Sequence, residues 1–155
     1  MLGSIFPESW PQMAEMLASE QVMRRWFEEV WNKKDGAAID ELLTPECVAY
    51  GLPDPDAVLR GPEAFKAVHA AFCNAFPDLQ ISLEEVIAAG DRVAARWRAT
   101  GTHLGEGLGF AATGKSIVLN GATIGIVRDG RLHEGWNMMD MSHIFVTLRG
   151  EPVRK

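Results

Sequence analysis

Hydrophobic side chains recur along this chain with two different periods. Between Glu20 and Lys33, the positions Met23, Trp26, Phe27, Val30 and Trp31 follow helical spacing and predict an amphipathic helix. Asp35-Gly36 breaks it, and Ile39, Leu42 and Leu43 predict a shorter helix that stops at Thr44-Pro45. "CVAYG" (47–51) reads as a short strand and "LPDPDAVLRGP" as a loop. Pro62 marks a helix start, with Phe65, Val68, Phe72 and Phe76 on one face until Pro77-Asp78. Beyond Pro77 the period becomes two. The stretches "LQISLEEVIAAG", 92–103, 116–127 and 131–141 predict four antiparallel strands, the last two joined by an Asp129-Gly130 hairpin turn.

Helices segregated from a run of antiparallel strands predict an α+β layer architecture. Residues 1–18 read as an N-terminal extension, with Ser9 a candidate helix cap and Pro11 in the first turn. Residues 19–145 read as one domain and 146–155 as a tail.

Composition narrows the function classes. The 155 residues are 47% hydrophobic and 23% charged, the profile of a globular protein, with a net charge of −6. An acidic chain with scattered basic residues argues against nucleic acid as a partner. Cys47 and Cys73 read as half-buried thiols of a reducing compartment rather than a disulfide. The first residues lack a signal-peptide pattern, and no apolar run reaches the roughly 20 residues of a membrane helix. These features predict a cytoplasmic protein without a membrane partner.

One motif points elsewhere. "GFAATGKS" (109–116) fits G-x-x-x-x-G-K-[ST], the phosphate-cradling loop. That loop works by opening a helix whose first amides face phosphate. Here "IVLNGATIGIV" follows, β-branched and Gly-interrupted, so we expect a strand and no nucleotide site.

The same region, "GTHLGEGLGFAATGK" (101–115), resembles the strand-loop-strand signature of the SnoaL-like polyketide cyclases. These belong to the superfamily of nuclear transport factor two and ketosteroid isomerase. "VMRRWFEEVWNKKDGAAIDELLTPECV", "GPEAFKAVHAAFCNAFPDLQ" and "VRDGRLHEGW" extend the resemblance over roughly residues 20–145. It implies a cystatin-like cone, a curved antiparallel sheet wrapped on N-terminal helices around an internal apolar pocket. It also implies a homodimer or larger homo-oligomer, commonly formed through the outer sheet face.

The last strand carries the candidate chemistry. Relatives often read Trp-Asp-x-x-Asp where this chain has Trp136-Asn137-Met138-Met139-Asp140, so the position of the catalytic acid holds Asn137. An amide hydrogen-bonds but does not shuttle protons near neutral pH. In a regular strand Leu132, Trp136, Met138 and Asp140 share a face, which makes Asp140 a candidate desolvated base. Its alternative is to cap a turn at "DMSH". His103 matches a position that is frequently His in the family. It either polarises a substrate oxygen or holds the Gly-rich loop through a backbone hydrogen bond.

Tyr50, where relatives often carry His, offers a phenol to a ligand or packs in the core. Thr123 sits where it could reach Asn137, and Trp97, Trp136 and Met138 are candidate pocket walls. His69 reads as structural, and His133 and His143 as solvent-facing or at a subunit edge. The four histidines form no metal-ligand spacing, so neither metal nor cofactor is expected. The expected function is a cofactor-independent isomerase or cyclase acting on a small hydrophobic carbonyl or polyketide-like molecule. Asp140 would serve as acid/base, or pocket shape alone would act. The alternative is a non-catalytic ligand-binding or oligomerisation module of the same fold.

Overall fold

The computed structural model describes residues 10–150. The helical layer opens with α1 (Trp10–Arg25), which runs without a break into a π-helical segment (Trp26–Asn32). It continues with α2 (Gly36–Leu42) and, after the short strands β1 (Leu43–Tyr50) and β2 (Val58–Arg60), α3 (Gly61–Ala75). Four long strands follow, β3 (Gln80–Ala89), β4 (Arg92–Thr102), β5 (Ser116–Arg128) and β6 (Arg131–Met139), and α4 (Met141–Arg149) closes the chain. Helix α1 crosses position 18 and α4 crosses position 145 without interruption. The candidate cap Ser9 lies outside the described residues.

Local signals explain most boundaries. Asp35 caps α2, its side chain accepting from the Ala37 N–H at 3.0 Å. Pro62 stands in the first turn of α3. Gly150 ends α4 in the left-handed conformation, its N–H donating to the Val146 carbonyl at 3.0 Å.

The α+β expectation holds, but the sheet is mixed rather than antiparallel. Its order is β2-β1-β6-β5-β4-β3, and β1 runs parallel to β6. Two neighbours that are far apart in sequence need no hairpin, so nothing forces them to be antiparallel. Strand β1 also begins earlier than its apolar core suggests, at Leu43. Its pairing with β6 is interrupted between Leu43 and Val48, where Pro45 has no N–H to give the ladder. Strand β2 lies inside the stretch expected to be a loop, and α4 was not expected at all.

The helices bury one face of the curved sheet. Inward positions on β4 are Val93, Ala95, Trp97 and Ala99, all at most 4% exposed. They face Met23, Trp26, Phe27 and Val30 across a single continuous core. Parity along β6 changes once. Ile126 pairs with Glu134 while Val127 pairs with Leu132, which leaves His133 as an extra residue. That bulge lets Leu132 point inward and, beyond it, re-aims Gly135, Asn137 and Met139 inward as well. Trp136 and Met138 therefore face outward.

The opposite face of the sheet carries a cross-strand apolar row. Val58, Tyr50, Trp136, Ile124, Ala94 and Ile87 are successive register partners across all six strands. Tyr50 and Trp136 stack within it, centroids 5.6 Å apart and planes 14° from parallel.

Candidate active site

Between helices and sheet lies a cavity with an empty volume of about 620 Å³, open solvent at its mouth included. Trp26, Phe27 and Trp31 of the π-helical segment supply one wall, Phe65 and Phe72 of α3 another. The wider turn of a π-helix brings residues i, i+1, i+4 and i+5 closer to one face than an α-turn does. The aromatic walls meet edge to face, with Trp26–Phe65 centroids at 4.9 Å and Trp31–Phe65 at 6.0 Å. The sheet contributes Trp97, Thr123, Asn137 and Met139, and α4 contributes Met141 and Ile144.

A chain of hydrogen bonds crosses the sheet side of this cavity. The Trp97 indole N–H donates to Thr123 Oγ1 at 3.0 Å, and that hydroxyl donates to Asn137 Oδ1 at 3.1 Å. Asn137 Nδ2 donates in turn to the Tyr50 carbonyl at 3.1 Å. Asn137 is thereby fixed in its amide orientation, with one N–H still free to meet a ligand.

Two glycines make the arrangement possible. A Cβ on Gly121 would stand 2.3–2.8 Å from three atoms of the Trp97 ring, so glycine lets the indole lie against the strand. A Cβ on Gly51, whose φ is +80°, would stand 2.2 Å from the Asn137 carbonyl oxygen.

Several expected site residues fall elsewhere. Asp140 is exposed and does not line the cavity. It caps α4, accepting from the Ser142 hydroxyl and from the His143 N–H. Those two donors, the hydroxyl first, hold its carboxyl below the ordinary value. The shift is opposite to that of a desolvated base. The cap's contribution to stability is present above about pH 4 and is lost as the pH falls through the lowered folded value.

Tyr50, Trp136 and Met138 were expected as ligand contacts, but they lie on the outer sheet face and do not line this cavity. The bulge at His133 is the physical reason for Trp136 and Met138. Tyr50 follows because it pairs with Trp136.

His103 is fully buried between Phe76 and Phe110 and does not line the cavity. Its Nδ1 accepts from the Thr113 N–H at 3.2 Å, pinning the Gly-rich loop. The ring proton is thereby placed on Nε2, which has no partner among the described residues. Of the expected set, the structure brings Trp97, Thr123 and Asn137 together. It adds the aromatic walls and the α4 side chains, which sequence reasoning assigned to the core or missed.

The remaining candidates are structural in geometry. His69 is buried and donates from Nε2 to the Val30 carbonyl at 2.7 Å, so that nitrogen is no base for the nearby Cys73 thiol. His133 is held by the Thr44 hydroxyl at 2.8 Å and by Arg128 at 3.2 Å. Ser116 of "GFAATGKS" begins β5, so the motif precedes a strand and lacks the helix whose amides would face a phosphate. Among the described residues no three His, Cys, Asp or Glu side chains gather to hold a metal ion. No described helix is long and apolar enough to cross a membrane.

Comparison with known proteins places this geometry. The model of the SnoaL-like polyketide cyclase family matches residues 21–148. The fold is shared with a candidate SnoaL-like polyketide cyclase from Jannaschia sp. CCS1, at a TM-score of 0.81 and 23% identity over 95% of this chain and 99% of that one. AclR, a candidate hydroxylase from Streptomyces galilaeus, is 27% identical with a TM-score of 0.77, covering 90% of this chain and 86% of its own. IdmH, a candidate polyketide cyclase from Streptomyces antibioticus, is 27% identical with a TM-score of 0.72, over 84% and 98% respectively. No curated protein matches the chain significantly.

Proposed function

The chain belongs to the SnoaL-like polyketide cyclase family, and on that premise we propose that its pocket folds a largely apolar, polyketide-like ketone into the shape from which it closes a ring. The observation that carries this reading is the lining. Among the described residues of the main cavity none is ionisable, and its polar groups are Thr123, Asn137 and indole N–H groups. Such a site has no proton acceptor of its own to offer.

What it does offer is confinement. Aromatic walls hold two parts of a chain at reacting distance, and such preorganisation removes several kcal/mol from a barrier. The free N–H of Asn137 donates to a ketone oxygen and polarises it. Bonds then reorganise within the substrate, so the product is an isomer of it and no cofactor is consumed. The same lining favours a second reading, ligand binding without chemistry, and turnover decides between them.

The test is incubation with a linear conjugated polyketide-like ketone, followed by chromatography and mass spectrometry. A new compound of unchanged mass is expected. Asp140→Asn is expected to form it within twofold of the wild-type rate, because Asn also caps a helix. Loss of turnover in that variant with its fold intact overturns the reading. Ligand uptake without product over hours moves the chain to the second one.

We further propose that a second copy covers the outer sheet face. The apolar row there spans about 24 Å at strand spacing. It includes large side chains in solvent, with Ile87 59% and Val58 45% exposed. In light scattering the wild type should have twice the mass of the 17.0 kDa protomer. Ile124→Arg, in the middle of the row, should have that of one. A monomeric wild type removes the proposal.

A further inference from the structure

Behind Asn137 lies a second cavity, with an empty volume of about 450 Å³, open solvent at its mouth included, between β1, β6 and the start of α3. Trp26, Phe65, Thr123 and Asn137 line both cavities. The two chambers are therefore neighbours across one partition, made of an edge-to-face aromatic pair from the helices and a hydrogen-bonded pair from the sheet. The free N–H of Asn137 stands at that partition.

The second chamber is apolar in character. Leu43, Ala49, Leu59 and Leu132 line it. Its titratable members offer a ligand little. Both ring nitrogens of His133 are occupied, by Thr44 and Arg128. Glu134 belongs by strand parity to the outer face. Burial pushes the Cys47 thiol up, so it stays neutral.

We infer that the second chamber is a subsite for the other arm of the substrate, so that the ligand is a ketone with an apolar arm on each side of its carbonyl, and the carbonyl sits at Asn137. This deepens the ring-closure reading and rests on it. One arm folds in the main chamber while the other is held apart in the second. Trp26 and Phe65 are side chains that turn aside to admit a chain between the two.

Ketones of defined arm length test this by calorimetric titration. 2-Heptanone has one five-carbon arm, 6-undecanone has two, and 2-undecanone has the same carbon count in a single arm. 6-Undecanone should bind at least about tenfold tighter than 2-heptanone, from a possible three- to fourfold per buried methylene. It should also bind tighter than 2-undecanone, whose carbonyl lies at one end.

Gly135→Leu then closes the second chamber. A Cβ at Gly135 has its nearest atom at 3.9 Å, so the backbone tolerates a side chain that grows into the space. The variant should bind 2-heptanone as the wild type does and lose the gain for 6-undecanone. Ala49→Phe on the neighbouring strand gives the same readout should Gly135→Leu fail to fold. Unchanged 6-undecanone affinity in a folded variant, or equal affinity for the two undecanones, overturns the subsite and leaves ring closure in the main chamber standing. Failure of every ketone to bind removes both.

Discussion

Thr123→Trp is expected to abolish ligand uptake and turnover together, lowering affinity by at least about 100-fold, or roughly 2.8 kcal/mol. Thr123 is 6% exposed and stands at the partition that both chambers share. An indole at that position projects against Trp26 and Phe65 and fills the space a ligand would take. The fold should survive, since overpacking a core typically costs about 1–3 kcal/mol. Thr123→Val separates shape from polarity. It keeps the chamber volume but leaves the Trp97 N–H without an acceptor and Asn137 Oδ1 without its donor. That variant should lose about 1–3 kcal/mol of stability while holding ligand affinity within a few-fold. Calorimetric titration and urea denaturation read the two effects separately. Full turnover in Thr123→Trp would show that the chemistry happens outside this pocket.

Asn137→Asp should make stability depend on pH with a defined sign. The wild-type amide donates to the Tyr50 carbonyl, and a carboxylate there would set two acceptors against each other. The protonated acid donates to that carbonyl as the amide did, so the folded state favours protonation, and partial burial adds to the preference. The folded pKa therefore rises above the unfolded value of about 3.9. Below about pH 4 both states are protonated and the variant is closest to wild type. As the pH climbs from there to the folded pKa, stability falls by up to about 1.4 kcal/mol per unit, and beyond it the loss is constant. Urea denaturation from pH 3 to 8 measures the slope. A stability that rises over the same range would mean the Tyr50 carbonyl is not the partner that matters. Turnover by shape should persist in the protonated form, and any new activity that grows with ionisation would be proton transfer added to a pocket that lacked it.

Much of this architecture was legible because periodic burial is written locally. The stripe through Met23, Trp26, Phe27, Val30 and Trp31 needed no partner to be recognised, and the alternation along β4 and the first part of β5 gave their inner faces directly. What escaped was information held between distant segments. Nothing in "CVAYG" says that its neighbour is β6, more than eighty residues away, or that the pair is parallel. Helix α4 escaped for another reason. Met141, Ile144, Phe145 and Leu148 follow the i, i+3, i+4, i+7 pattern and Gly150 supplies the stop, but Asp140 and Ser142 drew attention to a turn.

The site divides in the same way. That Thr123 lies near Asn137 was legible, since counting back from the hairpin at Asp129-Gly130 sets it opposite Trp136, one residue away; the direct pairing of the two depends on the extra residue at His133. The face on which Asn137 lies does not follow, because the extra residue at His133 has no compositional mark. Counting by twos from Leu132 puts Trp136, Met138 and Asp140 in the pocket; the folded chain puts Asn137 and Met139 there.

That dependence on one extra residue gives descent an unusual route to new chemistry. Point mutation alters a pocket one side chain at a time, but closing the bulge with His133 kept in the ladder would exchange the whole β6 contribution beyond it at once. Trp136 and Met138 would turn inward, and Asn137 and Met139 would take their places on the outer row. The same change would redraw the surface offered to a second subunit. Shifts of register at this point, rather than substitutions in the pocket, are where lineages built on this scaffold can trade a polar wall for an aromatic one without inventing a new fold.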